Sequence, residues 1–177
     1  MAIVFGLVVN FGSDEAAAHA ACDVVRGAAA IPVGHRQIRL HEPLLGQVTG
    51  AGGVPYLELS AVPVGVGWGV ALDRGHERLV LTAAELTTVG RALYDLVAEL
   101  SGYQAAKVGL EPEWQVDLAE LRQDWTAELA EGHRVLAGLV LGETVLADLR
   151  GPSFVPFAAG FVWIPYDGER PTSLTSD

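Results

Sequence analysis

Residues 56–61 read YLELSA, and the strict alternation of this stretch decides the fold. Its apolar and polar side chains would lie on opposite faces of a β-strand, with Leu57, Leu59 and Ala61 on one face and Tyr56, Glu58 and Ser60 on the other. One dry and one wet face is typical of a strand in an antiparallel sheet. The stretch therefore predicts an antiparallel sheet that is covered by helices on its apolar face.

The stretch HRQIRLH, which begins at His35, alternates in the same way and predicts a second strand. If the two strands pair, their polar faces adjoin, and His35, Arg39 and His41 lie across from Tyr56 and Glu58. A histidine beside a carboxylate is suited to general base catalysis, because its pKa lies near neutral pH. We therefore take His35, His41 and Glu58 as catalytic candidates, and Arg39 and Tyr56 as ligand-binding candidates. The alternative is a solvated face with cross-strand ion pairs.

The segment VGVGWGVAL at 64–72 predicts a further strand, in which glycine occupies positions 65, 67 and 69 on one face. One face of that strand carries no side chains, so an alanine-rich helix or a flat ligand can approach the backbone. Trp68 lies on the opposite face and is a third ligand-binding candidate. A phosphate-binding loop is excluded here, because that motif requires a lysine after its last glycine.

Helix starts are marked by polar capping residues. Ser13–Asp14–Glu15 predicts a helix that ends near Ala30, and the capping box Thr82–Glu85 predicts one that ends near Leu100. Asp117 opens a third helical pattern. With apolar strand patterns at 2–9 and 160–165, the sequence predicts one α+β domain over 1–171, with a mainly antiparallel sheet and two to four helices packed on one face. The polar residues 172–177 predict a disordered tail.

The charge balance limits the classes of partner. The chain has 11 basic and 22 acidic side chains, a net charge of −11 and a pI near 4.7. Such a chain repels nucleic acids and anionic membranes and favours a basic protein partner or a small neutral ligand. The partner-binding candidates are acidic residues of the predicted third helix, namely Asp117, Glu120, Asp124 and Glu128. The alternative is that the acidity serves only solubility.

Several kinds of site have no signature in the sequence. Cys22 is the only cysteine, so the chain cannot form an internal disulfide, which agrees with a reducing, cytoplasmic location. Pairs of histidines or cysteines at metal-ligand spacing do not occur, and no cofactor motif is present. No apolar run approaches the roughly 20 residues that span a bilayer. We therefore predict no metal, no cofactor and no membrane span.

Two functional hypotheses follow, and they leave open whether the protein is an enzyme. The first is a non-enzymatic binding or inhibitor protein, of the immunity type, that uses its acidic surface to bind a basic protein. The alternative is a small-molecule enzyme or ligand-binding protein with its site on the face formed by His35, Arg39, His41 and Glu58. Sequence patterns do not indicate an oligomeric state.

Overall fold

The computed structural model of the protein describes residues 2–131, 134–149 and 154–177. Its strands are β1 (Ile3–Asn10), β2 (Ile31–Val33), β3 (Arg36–Ile38), β4 (Leu44–Thr49), β5 (Pro55–Ala61), β6 (Gly67–Trp68), β7 (Ala105–Leu110), β8 (Val140–Gly142), β9 (Val155–Ala158) and β10 (Phe161–Trp163). Its α-helices are α1 (Glu15–Gly27), α2 (Ala83–Glu99), α3 (Leu118–Gln123), α4 (Thr126–Glu131) and α5 (Glu143–Leu149).

Eight strands form one sheet in the order β4-β5-β1-β7-β8-β10-β9, while β6 pairs with the start of β1. Every pairing in this sheet is antiparallel. The central strand β1 places Leu7 opposite Ala61 of β5 and opposite Val108 of β7. The strands β2 and β3 form a separate hairpin. The predicted fold class, a single α+β domain with a mainly antiparallel sheet, is confirmed.

The five α-helices of the described residues lie on both faces of the sheet, whereas the sequence predicted two to four on one face. The helices α1 and α2 cover the first face, where Leu7 of β1 and Val108 of β7 are buried. The helices α3, α4 and α5 pack against the second face, where Val8 and Ala105 are buried. The alternation in β5 predicted one wet face, but β1 and β7 are buried on both faces and so have cover on both.

Local capping residues place the helix starts as predicted. The Asp14 carboxylate accepts the Ala17 N–H over 2.9 Å at the start of α1. At the start of α2, Thr82 Oγ1 accepts the Glu85 N–H over 3.1 Å, and Glu85 Oε2 accepts the Thr82 N–H over 2.9 Å. This reciprocal pair is the capping box that the sequence predicted.

Three strand predictions in residues 35–72 differ from the structure. The predicted strand at 35–41 is only the second half of the β2–β3 hairpin, which turns at Gly34 with a φ of 58°. The glycine-alternating segment contributes only the two-residue strand β6, because Gly65 and Gly69 adopt φ values of 77° and 63° that interrupt an extended chain. The glycine-rich sequence at 44–53 predicts a connection rather than a strand, but its first part forms β4 at the edge of the sheet.

Residues 172–177, where the sequence predicts a disordered tail, lie against the start of α2. The Ser176 N–H donates to Leu81 O over 3.0 Å. The Ala83 N–H donates to Asp177 Oδ1 over 3.0 Å, so the last residue satisfies one of the free amides of that helix.

Candidate functional site

The end of the sheet formed by β4 and β5 carries a pocket of about 340 Å³ on the second face. The 3₁₀ turn Glu113–Val116, α3 and the β4–β5 turn border it. Its charged and aromatic side chains are Tyr56, Glu58, Glu113, Trp114, Asp117 and Glu120. We call this site the acidic pocket, since four of these six side chains are carboxylates and none is basic.

Tyr56 and Glu58 lie on the same face of β5 and form the floor of the acidic pocket. The Tyr56 hydroxyl donates to Glu58 Oε2 over 3.2 Å. Burial raises the pKa of the Glu58 carboxyl, the hydrogen bond from Tyr56 opposes that rise, and the nearby charge of Glu113 adds to it. Burial likewise raises the pKa of the Tyr56 hydroxyl. A cation that enters the pocket would therefore stabilise the ionised form of Glu58.

Asp117 holds the wall of the acidic pocket together. Its side chain caps α3, since Oδ1 accepts the Ala119 N–H over 2.9 Å. Its other oxygen, Oδ2, accepts the Ala51 N–H of the β4–β5 turn over 2.6 Å. The residue is only 7% exposed. Asp117 therefore fixes α3 against the β4–β5 turn, and its two oxygens are already occupied by backbone amides.

Trp114 forms the aromatic wall of the acidic pocket. Its ring packs against that of Trp125, with centroids 4.8 Å apart and planes tilted by 33°. Trp114 nevertheless stays 37% exposed. The face of a tryptophan ring attracts cations, so this wall and the carboxylates favour the same sign of charge in a ligand.

A second cavity of about 290 Å³ adjoins the acidic pocket and shares Tyr56 and Asp117 with it. Asn10 lies at its base and is fixed there, because Nδ2 donates to Val116 O over 2.8 Å. Arg122 lines its outer side. The two cavities together form an extended depression with an acidic end and an end that carries a guanidinium group.

The structure brings together residues that the sequence assigned to two different hypotheses. Tyr56 and Glu58, taken as candidates for ligand binding and catalysis, line the same pocket as Asp117 and Glu120, taken as candidates for partner binding. The remaining two partner-binding candidates lie outside this pocket. Asp124 is exposed at the end of α3, and Glu128 is partly buried in the first turn of α4.

The histidines do not join Glu58. His35 is exposed in the β2–β3 turn, away from the acidic pocket. His41 Nε2 lies 2.7 Å from Asp73 Oδ1, and its ring contacts that of His76 edge to face at 5.6 Å. The pairing that was expected between the strand at 35–41 and β5 does not form, because β4 and β1 occupy the two edges of β5.

The two other ligand-binding candidates are also separate from the acidic pocket. Arg39 is exposed, and its backbone carbonyl accepts the Val64 N–H over 2.8 Å. Trp68 is 50% exposed in β6, with the Arg78 guanidinium 4.3 Å above its ring. Each of these residues therefore has its own neighbours at another part of the surface.

Sequence reasoning did not assign Glu113 and Trp114 to a site. The sequence around Pro112 places Glu111 and Glu113 close to Trp114, a pattern that is typical of an acidic loop. The signal that could have marked the site is Trp114 itself, because tryptophan is enriched among the residues that dominate binding interfaces.

No group of three or more histidine, cysteine, aspartate or glutamate side chains is arranged to hold a metal ion in the described ranges. None of the described helices is long and apolar enough to cross a membrane. Comparison of the chain with protein-family models, with curated proteins and with solved structures finds no match.

Proposed function

We propose that this protein is a non-enzymatic binding protein, of the inhibitor or immunity type, that holds a basic side chain of a protein partner in the acidic pocket. The observation that carries the proposal is the convergence of Glu58, Glu113, Glu120 and the exposed Trp114 on one concave site. A lysine or arginine side chain matches such a site in charge, and its stem can lie along an aromatic ring.

The overall charge supports a basic protein as the partner. A net charge of −11 produces an attractive field for a cationic surface well beyond the pocket. Such a field raises the rate of association, and salt screens it. The same field opposes nucleic acids and anionic membranes as partners.

Arginine fits the acidic pocket better than lysine does. Its planar guanidinium can stack on the Trp114 ring while its N–H groups reach the carboxylates of Glu58 and Glu120. Because both oxygens of Asp117 accept backbone amides, that residue contributes negative charge and wall geometry rather than a free acceptor. We therefore propose that an arginine of the partner enters the site.

A cytoplasmic location belongs to the same proposal. The only cysteine, Cys22, is a free thiol on the buried face of α1. A protein without disulfides is suited to a reducing compartment, where an inhibitor of this kind protects the cell that makes it. The proposed binding requires no cofactor.

The alternative function, an enzyme or ligand-binding protein with a site formed by His35, Arg39, His41 and Glu58, has weaker support. His41 is engaged with Asp73, and Glu58 is engaged with Tyr56. A catalytic pair needs its two members within hydrogen-bonding reach of the same substrate atom. The convergence at the acidic pocket therefore favours the binding function.

The proposal is tested by titrating the protein with an arginine-rich peptide and with the same peptide carrying citrulline in place of arginine. We expect nuclear magnetic resonance signals of the Trp114 indole and of β5 amides to shift with the arginine peptide alone. The apparent affinity should fall as salt is added, because salt screens the attraction between the acidic protein and the basic peptide.

The double variant Glu58→Gln with Glu120→Gln tests whether the pocket itself binds the peptide. Its matched control is Asp95→Asn with Glu99→Gln, which removes two negative charges from the exposed side of α2. We expect at least a tenfold loss of affinity in the double variant and less than a twofold loss in the control. Equal losses in both would show that binding is diffuse, and the proposed role of the pocket would then be wrong.

A further inference from the structure

Lys107 is the only lysine of the chain, and it lies on β7 near the middle of the sheet. The residue is only 6% exposed. Lysine is among the residues least often buried, because its ammonium group loses hydration in the protein interior. No carboxylate of the described residues lies within ion-pair distance of its Nζ. A buried cation without a paired anion is a costly arrangement that suggests a chemical role.

The hydrogen bonds of Lys107 suit the neutral amine. Its Nζ donates to Ala137 O and, over 3.5 Å, to Val135 O. A neutral amine has two N–H groups and one lone pair. With its two N–H groups directed at the two carbonyls, the lone pair is left for an atom that enters the adjoining cavity.

That cavity measures about 190 Å³ and lies between β7, the 3₁₀ turn Glu113–Val116 and the segment that follows β10. Glu169 also lines it, and the Tyr166 hydroxyl donates to Glu169 Oε1 over 2.8 Å. The Glu169 N–H donates to Thr87 Oγ1 over 2.8 Å, which anchors this segment to α2. A carboxyl group is thus held in place beside the amine.

Gln115 supplies a third group at the same cavity. The residue is 6% exposed, and its Oε1 is buried without a hydrogen-bond partner in the part of the chain that the structure describes. Buried acceptors in folded proteins are nearly always paired. An unpaired buried acceptor beside a cavity leaves one hydrogen bond that a hydroxyl or N–H group of a ligand can complete.

We propose that Lys107 is a nucleophilic amine that condenses with a small aldehyde or ketone in this cavity, with Glu169 transferring the protons and Gln115 holding the intermediate. The amine lone pair forms a bond to the carbonyl carbon, and the carbonyl π electrons move to the oxygen, which takes a proton from the Glu169 carboxyl. The nitrogen returns a proton to Glu169, which leaves a carbinolamine whose hydroxyl donates to Gln115 Oε1.

The second half of the reaction releases water. Glu169 protonates the carbinolamine hydroxyl, the C–O bond breaks with release of water, and the nitrogen lone pair forms the C=N bond of an iminium ion. The iminium nitrogen then returns its proton to the Glu169 carboxylate, which leaves the imine and restores the carboxyl group. The net change is amine plus carbonyl compound to imine plus water, so no oxidant or reductant is needed. This chemistry takes place at a site separate from the acidic pocket and does not depend on the proposed binding function.

The protonation behaviour of the cavity groups is consistent with these roles. Burial lowers the pKa of the Lys107 amine to about 8, although the charges of Glu169 and Asp167 act in the opposite direction. Burial raises the pKa of the Glu169 carboxyl, and the Tyr166 hydrogen bond and the Lys107 charge oppose that rise. At pH 7 the neutral fraction of such an amine is roughly 200-fold larger than that of an ordinary lysine.

The experiment uses propanal with sodium cyanoborohydride, which reduces an imine to a stable secondary amine that peptide mass mapping locates. The variant Arg91→Lys introduces an exposed lysine on α2 and serves as an internal reference within the same folded molecule. At pH 7 we expect Lys107 to be alkylated at least tenfold faster than the introduced lysine. At pH 10 the ratio should fall towards one or below it, since the introduced lysine then also loses its proton.

A second variant isolates the carboxyl group. Glu169→Gln, combined with Arg91→Lys, should slow alkylation of Lys107 at least fivefold without changing the rate at the introduced lysine. The proposal is overturned if Lys107 is alkylated no faster than the introduced lysine at pH 7. An unchanged rate at Lys107 in the Glu169→Gln variant would remove Glu169 from the mechanism.

Discussion

Tyr56 and Glu58 are two residues apart on β5, and the Tyr56 hydroxyl donates to Glu58 Oε2 over 3.2 Å. This hydrogen bond favours the ionised form of Glu58, whereas burial and the charge of Glu113 disfavour it, and the pKa of the carboxyl is raised as a result. The free protein therefore carries a carboxylate whose ionised form is disfavoured by its surroundings. A cationic partner supplies a positive charge that stabilises the ionised form of Glu58. The electrostatics of the free protein are thereby linked to the proposed binding.

Replacing Glu58 by glutamine should therefore stabilise the free protein while weakening binding. A carboxyl whose pKa is raised by folding contributes stability at low pH, and that contribution is lost as pH rises through the folded pKa. We expect Glu58→Gln to raise the free energy of unfolding at pH 7 by about 0.5 kcal/mol, after allowance for solvent screening. Urea unfolding should show a smaller effect at pH 4. If the gain in free energy of unfolding from Glu58→Gln is smaller at pH 7 than at pH 4, the raised pKa of Glu58 in the folded protein is contradicted.

Asp117→Ala should destabilise the protein by about 2 kcal/mol, because it removes a helix cap and a charge-assisted hydrogen bond to the β4–β5 turn. The matched control is Asp124→Ala, which removes an exposed carboxylate at the other end of α3 and should change stability by less than about 0.5 kcal/mol. Urea unfolding measures both. Similar losses of stability in the two variants would show that Asp117 stabilises the protein only through its charge and not through its two hydrogen bonds.

Gly50→Ala should destabilise the protein by about 1–3 kcal/mol through a clash at the pocket wall. A Cβ at Gly50 would lie 2.7 Å from Asp117 Oδ2 and 2.9 Å from Oδ1. Gly46 of β4 has no atom within 4 Å of such a Cβ, so Gly46→Ala is the matched control and should be nearly neutral. In the Asp117→Ala background, the cost of Gly50→Ala should fall by at least half. Additive costs would contradict the proposed contact.

The sequence predicts the helices of this fold well because their signals are local. The Asp14 and Thr82 side chains bond to amides three residues away, so the cap and the helix start lie in the same short window. The strands at 35–41 and 64–72 were predicted from alternation alone. That pattern does not show where the backbone turns. Gly34, with a positive φ, turns the chain just before the first segment, and Gly65, with a positive φ, interrupts the second.

The acidic pocket could be predicted only in part. The alternation of β5 correctly places Tyr56 and Glu58 on one polar face, and the cap pattern correctly places Asp117 at the start of α3. Their proximity depends on strand pairing and on the packing of α3 against the second face, which involve residues far apart in the sequence. The cavity that adjoins Lys107 has a signal in the composition, because Lys107 is the only lysine among the 11 basic side chains.

The stability of the protein should depend on pH through Lys107. Folding lowers the pKa of this amine to about 8, below its unfolded value of about 10.4. Between these two values the unfolded state binds more protons than the folded state, so the contribution of Lys107 to stability rises with pH. We expect the free energy of unfolding of the parent, minus that of Lys107→Met, to increase by about 2 kcal/mol between pH 7 and pH 10. Subtracting the variant cancels the titration of the tyrosines and the carboxylates that the two proteins share.

The control Arg91→Lys adds an exposed amine and should show no such trend. A difference that stays flat between pH 7 and pH 10 would mean that Lys107 keeps an ordinary pKa in the folded protein, and the neutral amine required for imine formation would then be scarce at pH 7.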